Sequence, residues 1–111
     1  MYRNVQKKLV LVVSTFPSEK DAEKICLEAV EKGHAACANL FKARSIFTWE
    51  GRTERVEETL ALIKTSKDAH ERLTHFIKAK HPYSTPEILV LDVQDVNRDY
   101  LDWVITSTKG S

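Results

Sequence analysis

The 111-residue chain is poor in glycine, proline, cysteine and methionine, with three, three, two and one of each. The glycines stand far apart at Gly33, Gly51 and Gly110. No glycine-rich loop can be drawn from them, which excludes a nucleotide-binding P-loop. Cys26 and Cys37 lack the CxxC spacing with which one loop grips a soft metal, so both are expected to be buried and reduced. Net charge is also nearly absent. Lysine and arginine number 17 against 16 aspartates and glutamates, leaving no overall field to draw nucleic acid or acidic lipid. The longest apolar run, Leu9 to Val13, falls far short of the roughly 20 residues of a bilayer span. It is too short for a signal-peptide core as well, and Pro17 and a charged helix follow it. The expectation is therefore a cytoplasmic protein with neither nucleic acid nor membrane as partner.

What the chain does have is 42% hydrophobic and 30% charged residues, the balance of a folded chain with one core, read as a single domain over residues 1–111. Lys8 to Thr15 holds LVLVV, the pattern of a central strand. Ser18 is placed to cap a helix with Asp21 at its third position. Ala22, Ile25, Cys26, Ala29 and Val30 draw one apolar stripe along it, and Gly33 ends it. The charges between them, such as Glu19, Lys20 and Glu23, read as a solvated face.

Ala35 to Trp49 reads as a long second strand and Thr53 to Thr65 as a third, joined by a tight turn at Glu50-Gly51-Arg52. In the third, Leu60 and Leu62 alternate with Ala61 and Ile63. The acidic first half of that strand suggests a hairpin tip extending past the core. Aromatics such as Phe47 and Trp49 would be poorly covered there in a single chain, so other subunits are expected to cover them. Ser66 or Asp68 caps a second helix with Ala69, Leu73, Phe76 and Ile77 on its apolar face. HPYSTPE (His81 to Glu87) leads to a fourth strand, Ile88 to Val93. Asn97 opens a short helix with Tyr100, Leu101, Trp103 and Val104, and Thr106 to Ser111 reads as a frayed tail. The order βαββαβ with an added helix is an α+β, ferredoxin-like sandwich.

That fold hosts many activities, so the residues must discriminate among them. RNA recognition needs stacking aromatics on the central strands, and neither LVLVV nor Thr53 to Lys64 has one. A copper chaperone carries paired cysteines after its first strand, where this chain has STFPSE. No local pattern sets a nucleophile beside a base, so the chain does not read as an enzyme. His34, His70 and His75 are expected to be solvated, since His70 and His75 lack the i, i+4 spacing of a helical metal pair.

Five segments in order, EKGHAACANL, SIFTWEGRTE, LIKT, HPYSTPEI and YLDWV, resemble the CutA family of divalent-cation tolerance proteins from about Leu9 to Thr108. The resemblance implies a tight homotrimer in which hairpin strands pair between subunits, and a likeness to the PII signalling proteins. It implies a role in tolerance to, or binding of, divalent ions such as copper or zinc, with a PII-like sensor of small ligands or an interaction scaffold as the alternative. The family's proposed metal ligands fall on His81 and Glu87, while Ser14 stands where the family has a cysteine. A hydroxyl in place of a thiolate weakens Cu(I) binding and favours harder ions. HPYSTPE itself has two readings that can both hold. In one, Pro82 stops a helix, Pro86 stiffens the chain and Tyr83 packs on Trp103. In the other, Tyr83, Trp49 and His81 surround an intersubunit pocket in which Glu87 orients a metal ion or small ligand. Trp49 and Trp103 are otherwise core or interface residues.

Overall fold

The computed structural model describes residues 7–109. Its elements are β1 (Leu9–Phe16), α1 (Glu19–Glu31), β2 (Cys37–Trp49), β3 (Arg52–Ser66), α2 (His70–Lys80), β4 (Leu89–Asp92) and α3 (Arg98–Ser107). The strands form one sheet in the order β2-β3-β1-β4, antiparallel at every pairing. This is the expected βαββαβ order with an added helix.

Strand alternation gives the sheet two faces. On one, Val10, Val12, Phe16, Ala61 and Ile63 pack against Ala22, Ile25, Cys26 and Ala29 of α1 and Leu73 and Ile77 of α2. The stripe read from the sequence is thus the buried face of α1, except that Val30 is exposed. Ser18 does cap α1, its hydroxyl accepting the Asp21 N–H at 3.1 Å. Gly33 follows the helix at φ 77°, the left-handed region that suits glycine. On the other face α3 covers one end, where Val104 packs with Leu9 and Ala36. The rest of that face has no cover: Leu11, Val13, Leu60 and Leu62 are half-buried, and Phe41, Leu89 and Leu91 are exposed.

The hairpin runs from Cys37↔Lys64 out to Trp49↔Arg52 without a break in register. Glu50 (φ 49°) and Gly51 (φ 78°) form the turn, and two positive φ values in succession match the right-handed twist of the strands. The hairpin makes the molecule elongated, 54 × 26 × 23 Å.

Several expectations need correction. β2 starts at Cys37, not Ala35, and β4 is confined to Leu89–Asp92. α2 has no side-chain cap at its N-cap, Ala69; Ser66 Oγ accepts the Ala69 N–H from outside the helix. Asn97 precedes α3 without a capping bond. Cys26 is buried, and burial pushes its thiol up to about 11, but Cys37 is only half-buried. His34 is only partly solvated: it is half-buried, its ring lies 5.2 Å from that of Phe76, and its Nδ1 is buried with no hydrogen-bond partner among the described residues. His70 bonds the Lys67 carbonyl through Nδ1 at 2.6 Å, while His75 is exposed as expected. The frayed tail is wrong as far as it is described. α3 runs to Ser107, and buried Thr108 places its hydroxyl 2.8 Å from Ser66 Oγ and 2.9 Å from the Val104 carbonyl. Residues 110–111 lie outside the described residues. Arg72 also donates to the Thr108 carbonyl at 2.9 Å, so α3 is tied to both β3 and α2.

Replacing Thr108 with valine removes a hydroxyl from this buried cluster without creating a cavity. The expected cost is about 1–2 kcal/mol in urea unfolding. A variant as stable as the parent would show that the end of α3 does not hold the fold.

Candidate functional site

Pro82 shapes the site first. It bars the helical conformation to the residue before it, so His81 turns extended (φ −66°, ψ 136°) and ends α2. That turn drives the imidazole into the domain, where it is 9% exposed and stacks on Phe16 with ring centres 4.6 Å apart and planes 15° apart. Nδ1 accepts the Tyr83 N–H at 3.1 Å, so in the neutral ring Nε2 carries the proton and donates to the Thr15 carbonyl at 2.9 Å. Ser14 Oγ lies 3.4 Å from the same nitrogen. The structure therefore brings Ser14 and His81 together, but with both imidazole nitrogens already engaged.

Tyr83 links this buried knot to the hairpin. Its hydroxyl donates to Glu58 Oε2 at 2.7 Å. Burial raises the phenol to about 12, and the Glu58 carboxylate adds to the shift. Tyr83 does not pack on Trp103. The ring it faces is His81, at 5.2 Å, whereas Trp103 sits beside Tyr100 and borders a separate cleft with Leu27 and Val30. Trp103, 48% exposed, thus stands apart from Tyr83 and from the groove described next.

The pocket itself is a groove of about 870 Å³ between the outer half of the hairpin and the segment after α2. Tyr83, Trp49 and Glu87 line it within one chain, together with Phe47, Glu54, Glu57 and Glu58. His81 is not on its wall but directly behind it, bonded to Tyr83. The three hairpin glutamates were not singled out from the sequence. A signal existed for Glu58, which has the same strand parity as Leu60 and Leu62 and so shares the uncovered face. Among the described residues, no lysine, arginine or histidine lines the groove. Among the described residues, no three His, Cys, Asp or Glu side chains converge as a metal cluster within one chain.

Comparison with known proteins gives this geometry its setting. Residues 10–107 match the model of the CutA1 divalent ion tolerance protein. The chain belongs to the CutA1 family. Among curated CutA1 relatives, the divalent-cation tolerance protein CutA of Pyrococcus horikoshii is 43% identical over 101 residues, which is 91% of this chain and 99% of that one. The crystal structure of CutA1 from the same organism superposes with a TM-score of 0.87, covering 90% of this chain and 98% of that one at 43% identity. CutA1 from Oryza sativa, only 30% identical, superposes at 0.88 over 94% and 96% of the two chains. The CutA1 fold is thus retained across wide divergence, and the relatives are named as tolerance proteins rather than enzymes.

The His81 knot gives a pH dependence with a definite sign. Burial lowers its pKa below the ordinary 6.5, and the Thr15 carbonyl and the Asp21 and Glu58 carboxylates offset part of that. The folded state thus takes up this proton less readily than the unfolded chain. Its stabilising contribution is complete above about pH 6.5 and declines as pH falls through the lowered folded value. His34 is shifted the same way, by burial and then by Arg72 and Lys32. The urea midpoint should fall between about pH 7 and about pH 5, with a shallower fall in His81→Gln, where only His34 remains of the two. An equal slope in parent and variant would contradict the assignment.

Proposed function

We propose that the chain acts in divalent-cation tolerance as a homotrimer that binds cations at the groove, where Glu87 and the hairpin carboxylates each offer single ligands that a neighbouring copy completes, since no three of them converge within the described residues of one chain. The observation that carries this reading is the groove's composition: Glu54, Glu57, Glu58 and Glu87 without a basic side chain among them. Carboxylate oxygens favour harder or borderline ions such as Zn(II) and Cu(II) over Cu(I), and Ser14 supplies no thiolate to change that order. His81 joins the ligand set only by giving up the Tyr83 N–H, which makes it a second-stage ligand rather than an open one. Trimer formation is supported by the uncovered apolar face and by Trp49, 55% exposed at the hairpin tip, since patches of this kind mark subunit contacts. A PII-like small-ligand role draws on the same groove, whose size exceeds what one ion requires.

Calorimetric titration of the purified protein with Zn(II) and Cu(II) tests the metal reading. Saturable binding is expected, weakened about tenfold or more in Glu87→Gln, equivalent to about 1.4 kcal/mol or more. Equal affinity in parent and variant would remove Glu87 from the site.

A further inference from the structure

His34 is an imidazole that neither the groove nor the His81 knot uses. Its backbone is pinned on both sides: its N–H donates to the Ala29 carbonyl at 2.9 Å, and its carbonyl accepts the Thr65 hydroxyl at 2.7 Å. The ring is therefore the part that can move. It lies against Phe76 of α2, and its Nδ1 is enclosed with no hydrogen-bond partner among the described residues. A proton on that nitrogen would be a buried N–H without an acceptor, so the neutral ring carries its proton on Nε2. A second proton is accommodated only when the ring turns out toward water.

Beside it stands the side chain that ties α2 to two other parts of the fold. One guanidinium nitrogen of Arg72 donates to the Gly33 carbonyl at 3.2 Å, next to His34 in the chain, and to the Thr108 carbonyl at 2.9 Å, at the end of α3. Carbonyls at and beyond a helix end lack an intrahelical donor, and Arg72 supplies one to both. The charges around the imidazole are mostly of one sign. From α2 come Arg72 and Lys80, the latter over the Phe76 ring at 5.8 Å. From α1 come Lys32 and Glu28, paired with each other at 3.7 Å. β3 contributes the neutral Thr65 hydroxyl. Burial, Arg72 and Lys32 together hold the imidazole below its ordinary 6.5, opposed by Glu28.

From this arrangement we propose that His34 and Arg72 form an acid-sensitive latch on α3. With His34 neutral, the ring rests on Phe76 and Arg72 holds the end of α3 through Thr108. When His34 takes up its second proton, the ring leaves its enclosure and the new charge repels Arg72 at the junction of Gly33 and Thr108. The end of α3 then comes loose while the sheet stays folded. Closure is complete above about pH 6.5 and weakens as pH falls through the lowered value. Because α3 covers Leu9 and Ala36 at one end of the otherwise open face, its release lengthens the apolar surface offered to other chains. Arg72 is exposed, so solvent screens the repulsion and the effect is a modest change in a local opening equilibrium.

Amide hydrogen exchange in the intact protein, followed by NMR and corrected for the intrinsic pH dependence of exchange, tests the latch. The Thr108 N–H, bonded to the Val104 and Ile105 carbonyls, reports on α3, and the Ile63 N–H within β3 reports on the sheet. Between about pH 7 and about pH 5, protection of Thr108 should fall about threefold or more relative to that of Ile63. His34→Gln should abolish this relative fall, and Arg72→Gln should leave Thr108 weakly protected at both pH values. A relative fall that persists in His34→Gln, or parental protection of Thr108 in Arg72→Gln, would overturn the proposal. Parallel loss at Thr108 and Ile63 in the parent would also overturn it, because α3 would then open only with the whole fold. That last comparison needs no variant, so it decides the matter even where a substitution unfolds the chain.

Discussion

A single four-stranded sheet has two apolar faces, and this chain has helices enough for one. Everything distinctive about the molecule depends on that shortage. α1 and α2 seal one face around Val12, Phe16 and Ile63. α3 reaches only one end of the other, where Val104 meets Leu9. Between that end and the tip of the hairpin, leucines on three strands and Phe41 stand half-covered or bare. The sheet also ends in two open edges, β2 and the four exposed residues of β4. Exposed edges and apolar faces are liabilities in a monomer and ready contacts in an assembly. On the trimeric reading proposed above, the single chain is an incomplete unit whose missing cover comes from its own copies.

The same geometry creates the groove. A hairpin that outruns its domain leaves a hollow where it departs from the sheet, and the segment after α2 forms the opposite wall. Pro82 positions that wall by ending the helix at His81. The imidazole then anchors it from behind through Thr15 and Tyr83. Tyr83 connects buried core to open groove: its backbone N–H holds the histidine, and its hydroxyl holds Glu58. Charge in the groove and protonation of the knot are thus linked through one residue.

Much of this was legible in the residues alone. The βαββαβ order followed from LVLVV, the Ala22 to Val30 stripe and the alternation at Leu60 to Ile63, because period-2 and period-3.6 patterns report which side is buried. Glu50-Gly51 marked its turn because positive φ falls readily to glycine. Contacts between elements distant in the chain were not legible. Tyr83 meets Glu58 rather than Trp103, and Thr108 docks on Ser66 rather than fraying, through pairings that no periodicity encodes. His81 was recognised as important, but its role as a latch with both nitrogens occupied depends on the exact turn at Pro82. Cys37 was expected inside by residue type, yet it begins an edge strand that leaves it half-covered.

Whether copies of this chain complete the uncovered face is tested most directly by its oligomeric state in solution. Sedimentation equilibrium at micromolar concentration should give one species of three chains, dissociating only together with unfolding. A stable, folded single chain under those conditions would contradict the account, since the apolar face would then face water without penalty.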